Sequence, residues 1–320
     1  MSRTYQLTRQ FLSNLRKNIT NMAQPATDRS SLSATTEKLN NQHPAKLSQY
    51  SGLEHPPAVD SIPRAKPAVK PLEIKVEDGP DGTVPGFLHV PHNYDSKSSG
   101  DRTAAILLSG AGGGVVGPSS IYLSMADKLA SLNKGIPALR LDYRFPARNR
   151  YCVRDVVAAM DYLQEGYAVR RFVLVGWSFG GAPVFTVGGQ DERVVGCATV
   201  ASQTAETEGI RQVGRRQVPL LLLHGTGDRT LSPTCSQRLY DSYGNRGPRE
   251  LKLFNGDDHA LTRNSAKAEE LLCGFITKCA GVKIDEEEQR NVVQKTLVDG
   301  KEKIDKMKQG GDLRGSESVE

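Results

Sequence analysis

Three short stretches of the chain carry residue types that, brought together, would break an acyl bond: GWSFG around Ser178, HGTGD ending in Asp228, and NGDDH ending in His259. A serine hydroxyl is a weak nucleophile near neutral pH and needs an adjacent base. A histidine can take its proton and return it to the leaving group, while a carboxylate fixes the imidazole tautomer and stabilises the imidazolium. The three residues occur in the order Ser178, Asp228, His259. Each stands beyond a short apolar run: RFVLV before the serine, VPLLLL before the aspartate, ELKLF before the histidine. The pattern asks for parallel strands whose C-terminal ends share one edge, where sites in open α/β sheets lie.

The serine stretch states its local geometry most clearly. A continuous apolar run that ends on glycine reads as a buried parallel strand turning at once into a helix. Gly176 and Gly180, two residues to either side of Ser178, remove the Cβ atoms that strand and helix would otherwise press together. The serine is then expected at the apex, strained, with its hydroxyl pushed into the open, as in the G-x-S-x-G nucleophile elbow.

The elements that must position these residues are legible from 71 to 281. LEIKVED and GFLHV flank a Gly-Pro-Asp-Gly turn and predict an antiparallel hairpin. AAILLSG, PALRLDYR, RFVLVGWS, VVGCATVAS, VPLLLLHG and ELKLF predict further strands. Helical runs such as SSIYLSMADKLASLNKG, and others over 151–164 and 265–279, separate them. The fold class expected is α/β: a mostly parallel, twisted sheet flanked by helices on both faces, with disordered termini.

Acyl transfer also builds negative charge on the carbonyl oxygen, which two preorganised N–H donors must meet. One is expected from Phe179, the residue after the nucleophile. The other is expected from the glycine-rich stretch Ser109-Gly110-Ala111-Gly112-Gly113-Gly114, with Ala111 the first candidate and Gly112 the second. A phosphate cradle fails on detail, because no Gly-Lys-Ser/Thr follows these glycines.

SGAGGG, LRLDYR, GWSFGG, HGTGD and GDDH together resemble the α/β-hydrolase superfamily, over about two-thirds of the chain. They are most similar to its small, lidless branch, the dienelactone-hydrolase-like and KANL/TEX-like proteins. The resemblance implies a serine hydrolase acting on an ester or thioester through an acyl-enzyme, with no metal and no organic cofactor. Ser178 stands where dienelactone hydrolases proper use cysteine, which sets this chain apart from their lactone chemistry. Some members of the branch act in protein complexes, so a non-catalytic interaction protein is the alternative.

Other residues compete for roles. His224 ends a buried strand and reads as a hydrogen-bonded structural histidine. Asp257 and Asp258 adjoin His259 on a tight turn and read as shaping it. Trp177 and Phe179 flank the nucleophile, and Trp177 is expected either in the substrate pocket or in the core. Arg144 ends a strand at the same edge and is a candidate for meeting an anionic substrate, with a structural ion pair as the competing reading. His43 and His55 fall in the N-terminal arm, and His89 and His92 near the first hairpin.

Composition narrows the class. Apolar residues make up 38% of 320 and the net charge is +6, with no dense basic run and no interleaved aromatics, so nucleic acid is not an expected partner. No apolar run approaches the roughly 18 residues of a transmembrane segment. Five cysteines with no CxxC pair argue against a disulfide framework or structural zinc and for an intracellular setting, cytoplasmic in the first place.

Residues 1–70 read as a disordered arm and linker closed by PRAKPAVKP, and 1–65 as dispensable for folding. Within them, 1–27 contain no acid and carry Arg3, Arg9, Arg16 and Lys17, as a mitochondrial presequence would. Residues 282–320 read as a charged tail, partly helical or disordered. The expected partners are a small-molecule acyl substrate and, through the termini, another protein. Between GCATVAS and VPLLLLHG only the polar 203–217 intervene, too short for an apolar lid, so an open pocket is expected.

Overall fold

Apolar alternation along the strands decides the layers of this molecule. The computed structural model describes residues 47–77, 82–95, 102–144 and 148–314, all within one compact unit, Pro44–Glu320. The basic segment 1–27 and His43 lie outside the described residues. Eight strands form one sheet: β1 (Ala68–Lys75), β2 (Thr83–Val90), β3 (Arg102–Leu108), β4 (Ala138–Leu141), β5 (Val169–Trp177), β6 (Val194–Val200), β7 (Leu220–Gly225) and β8 (Arg249–Phe254), in the order β1-β2-β4-β3-β5-β6-β7-β8. β1 and β2 pair antiparallel with Ala68 opposite Val90 and Lys75 opposite Thr83, as the hairpin pattern predicts. β2 also runs antiparallel to β4, and the remaining pairs are parallel.

Successive side chains of a strand point to opposite faces. Val173, Val175 and Trp177 of β5 join one buried layer, and Phe172 and Leu174 the other. On the first face lie α1 (Ile121–Ser131) and, further along the chain, a helix over Ser265–Ala280; on the second lie α2 (Asn149–Tyr167), α3 (Gly181–Gln190), α4 (Ile210–Arg215) and α5 (Thr234–Tyr243). The Ser265–Ala280 helix is α6. Between β6 and β7 the sole helix is α4, whose Ile210 and Val213 are buried in the second layer; no cap is built there.

Two stretches correct the sequence reading. Residues 47–70 are not a free linker: Tyr50, Leu53 and Ile62 are buried in the first layer and Val59 is buried as well. Ala58 N–H donates to Leu297 O at 3.1 Å, and Arg64 pairs with Glu288 at 3.2 Å. The charged tail is partly helical, as the sequence reading allows, and its described residues, through Arg314, are built in as well. A short helix α7 (Glu286–Glu288), opened by an Asp285 capping box, leads through one π turn to buried Val292 and Val293, then Leu297 and Val298. The last helix, α8 (Glu302–Gln309), buries Met307, and Asp312 beyond it is fully buried. Outside β1 and the short tail helices the apolar residues of both stretches are scattered, and they are buried by packing into the first layer.

All five cysteines are unpaired, and four are buried. Among the described residues no helix is long and apolar enough to cross a membrane, and no cluster of His, Cys, Asp and Glu is placed to hold a metal.

Candidate active site

The candidate residues stand beyond the ends of three strands, β5, β7 and β8. At the end of β5 the backbone of Ser178 turns to φ +53°, a left-handed conformation that costs of order 1–2 kcal/mol for a residue with a Cβ. A Cβ on Gly176 would meet the backbone of Gly180, and one on Gly180 would lie 2.6 Å from Ser109 O. The sharp turn therefore needs both glycines. The serine is 5% exposed, more enclosed than its apex position suggests, because the loop after β3 packs against the same turn.

The loops after β7 and β8 cross closely. A Cβ on Gly225 would collide with Asp257 O, and Gly227 N–H donates to that carbonyl at 2.9 Å. This crossing sets Asp228 Oδ2 2.7 Å from His259 Nδ1. Asp228 Oδ1 meanwhile accepts from the amides of Thr230 and Leu231, both at 2.8 Å. Burial alone would raise the Asp228 carboxyl, but hydrogen bonds from His224 and His259 hold it well below the usual carboxylate range. A carboxylate at Nδ1 makes that nitrogen the protonated one, leaving Nε2 as the basic atom of the ring.

Trp177 corrects the pocket expectation. It is fully buried, its indole N–H donates to His259 O at 3.0 Å, and the two rings lie 5.4 Å apart. Alternation along β5 turns it into the first core layer, so it ties the serine strand to the histidine loop and lines no open pocket. Arg144 is also a correction. It is fully buried and ion-paired with Asp155 of α2, whose carboxylate also accepts from Arg144 N–H at 3.1 Å. It packs in the helix layer against Asp155, in the structural ion pair that was the competing reading. Phe179 is 7% exposed and packs edge-on against Tyr143, with ring centroids 5.7 Å apart.

Asp257 and Asp258 shape the turn. Asp257 accepts from the amides of Arg263 and Asn264, and Asp258 from those of Ala260 and Thr262. His224 is fully buried. Its Nδ1 lies 2.7 Å from Ser236 Oγ and its Nε2 3.0 Å from Asp228 Oδ2, a partnership that its place in HGTGD did not disclose. His55, set aside as part of an arm, lies 2.9 Å from Asp127. His89 accepts from Arg140 Nε at 2.9 Å, and burial lowers it to about 4, which keeps it neutral.

In the glycine-rich loop, Ala111 is exposed and Gly112 half-buried. Sequence reasoning missed what holds this loop. Tyr143 Oη donates to Ser109 O at 2.9 Å, and Asp142 accepts from Gly114 N–H at 2.7 Å. Tyr143 stands beside the Arg144 that the sequence singled out.

The alpha/beta hydrolase fold family matches the sequence over residues 130–222. By sequence, no curated protein matches the chain. Among solved structures, a dienelactone hydrolase from Anabaena variabilis superposes with a TM-score of 0.55 at 15% identity, over 67% of this chain and 99% of its own. A Xanthomonas campestris α/β serine hydrolase without lid gives 0.54 at 15% identity, over 69% of this chain and 100% of its own. A puromycin-hydrolyzing peptidase from Mycobacterium tuberculosis gives 0.55 at 16% identity; the match covers 68% of this chain but only 40% of the peptidase. Strand order, a sharp turn after β5 and these likenesses agree: the chain is a protein of the α/β-hydrolase fold.

Proposed function

We propose that the chain is a serine hydrolase that cleaves a carboxylic ester or thioester through an acyl-enzyme. Ser178 is the nucleophile, His259 the general base and acid, and Asp228 the residue that orients it. The observation carrying this reading is the 2.7 Å Asp228–His259 contact on a loop that Trp177, the serine's neighbour, holds at 3.0 Å. A protein that only bound partners would gain nothing from a left-handed serine at a strand end.

In the reaction, Ser178 Oγ attacks the acyl carbon as His259 Nε2 takes its proton. The amides of Phe179 and of Ala111 or Gly112 meet the developing oxyanion. Collapse expels the alcohol or thiol, which takes the proton from His259. Water activated by the same nitrogen then releases the acid and restores Ser178. Esters are favoured over amides because their leaving group departs more easily. No lid intervenes between β6 and β7, which favours short or medium acyl groups.

The test is labelling of folded and denatured full-length protein by a fluorophosphonate. Ser178 is expected to react in the folded protein alone, and Ser178→Ala to lose both labelling and hydrolysis of a short-chain aryl ester. Labelling at another serine, or unchanged turnover in the variant, overturns the reading. A folded chain that neither labels nor turns over any ester would point to the interaction protein.

A further inference from the structure

The polar atoms of the loop after β3 are met by the far end of the chain. Asp312 is fully buried, and its Oδ1 accepts from Ser109 Oγ at 2.5 Å and from Gly117 N–H at 2.7 Å. Its Oδ2 accepts from Val116 N–H at 3.0 Å. These contacts cross about two hundred residues of sequence and grip the loop on both sides of Ala111 and Gly112. Two residues on, the backbone of Arg314 presses on Gly112 so closely that a Cβ there would collide with Arg314 O. The Arg314 guanidinium donates to Asp142 Oδ2 at 3.1 Å and to Tyr50 Oη at 2.6 Å, and Tyr50 in turn donates to Asp142. Asp142 Oδ1 accepts from Gly114 N–H at 2.7 Å and from Tyr143 N–H at 2.7 Å. Tyr143 completes the circuit to the elbow through Ser109 O and Phe179.

A glycine-rich loop has the greatest backbone freedom to lose, and oxyanion donors act only when fixed beforehand. We infer that Asp312 is a positioning residue of the reaction: its carboxylate, delivered by the C-terminal segment, fixes the 109–117 loop so that the donor amide, of Ala111 or Gly112, faces the oxyanion. The inference rests on the serine-hydrolase reading of Ser178. It makes residues 310–314 part of the catalytic apparatus, although they lie beyond every strand of the sheet.

Asp312→Asn tests it. The amide keeps the shape, but its NH2 must face Val116 N–H or the Ser109 and Gly117 donors, so one anchor is lost. Burial lifts the Asp312 carboxyl to about 7 against the pull of those donors, with Asp142 also facing it, so assays belong at about pH 8.5, where it is ionised. For the full chain, kcat on a short-chain aryl ester is expected to fall about 10²-fold with KM within about twofold, as a misplaced loop costs transition-state binding alone. Affinity for an aryl trifluoromethyl ketone, which forms an oxyanion on Ser178, is expected to fall by the same factor as kcat/KM. Thermal denaturation reports folding. Should Asp312→Asn prove unstable, Ser109→Ala deletes a single hydroxyl, and a fall in kcat of about tenfold at constant KM is expected. A folded variant with wild-type kcat, or one changed in KM alone, overturns the inference while leaving the hydrolase reading intact. A wild-type chain that neither turns over the ester nor labels at Ser178 overturns both.

Discussion

His224 and His259 converge on one oxygen atom: Asp228 Oδ2 lies 3.0 Å from the Nε2 of the first and 2.7 Å from the Nδ1 of the second. With two backbone amides on Oδ1, the carboxylate is saturated and its orientation over-determined. The two histidines differ in what their other nitrogen meets. That of His224 is held by Ser236, deep in the fold, so this histidine braces the acid from behind.

Substitution should separate these roles. His259→Ala is expected to lower kcat by about 10⁴-fold or more, the scale of losing the base in a serine hydrolase. His224→Ala is expected to cost about 2–4 kcal/mol of stability, from a lost hydrogen bond to a charged group and a buried cavity. Its kcat should fall by about tenfold. Steady-state kinetics with denaturant unfolding checks both; a well-folded His224→Ala with no activity, beside an active His259→Ala, would reverse the assignment.

Arg144 should behave as a structural residue. Arg144→Met strands the Asp155 carboxylate in the core, and breaking a buried pair from one side costs about 3–5 kcal/mol. KM for anionic and neutral esters is expected to change alike in any variant that still folds. A selective loss of affinity for anionic esters would restore Arg144 to the substrate.

The segment before β1 should be required for stability. Leu53→Ala is expected to cost about 2–5 kcal/mol, as for other buried leucines. Deleting residues 1–65 removes Tyr50, Leu53, Val59 and Ile62 together, and is expected to leave a chain without a cooperative thermal transition. Deleting residues 1–45 leaves these contacts in place and should preserve the transition.

The lowered Asp228 carboxyl makes a pH prediction. A folded-state pKa below the unfolded value of about 3.9 gives stability that is present above that pH and lost as pH falls through the folded pKa. The stability gap between wild type and Asp228→Asn should therefore be full above about pH 5 and shrink steadily below about pH 3. Urea denaturation across this range measures it, and a gap that is flat or widens in acid would contradict the hydrogen-bonded carboxylate.

The sequence by itself determined the sheet and the three strand ends. Runs such as RFVLV and VPLLLL read as buried strands and are strands, and the glycines around Ser178 stand where a tight turn leaves no room for Cβ atoms. Those signals are local: period, apolar content and turn chemistry act over a few residues. The roles of Trp177, Tyr50 and Asp312, and the partners of His224, were decided by tertiary structure alone. Whether Trp177 faces a pocket or the core depends on which layer the end of β5 turns toward, and that is set by α6 and the His259 loop. Asp312 lies in GGDLRG, a stretch that reads as solvated because a lone carboxylate has no periodicity to betray it. It is buried because Ser109, Val116 and Gly117, about two hundred positions earlier, supply the donors that make burial tolerable.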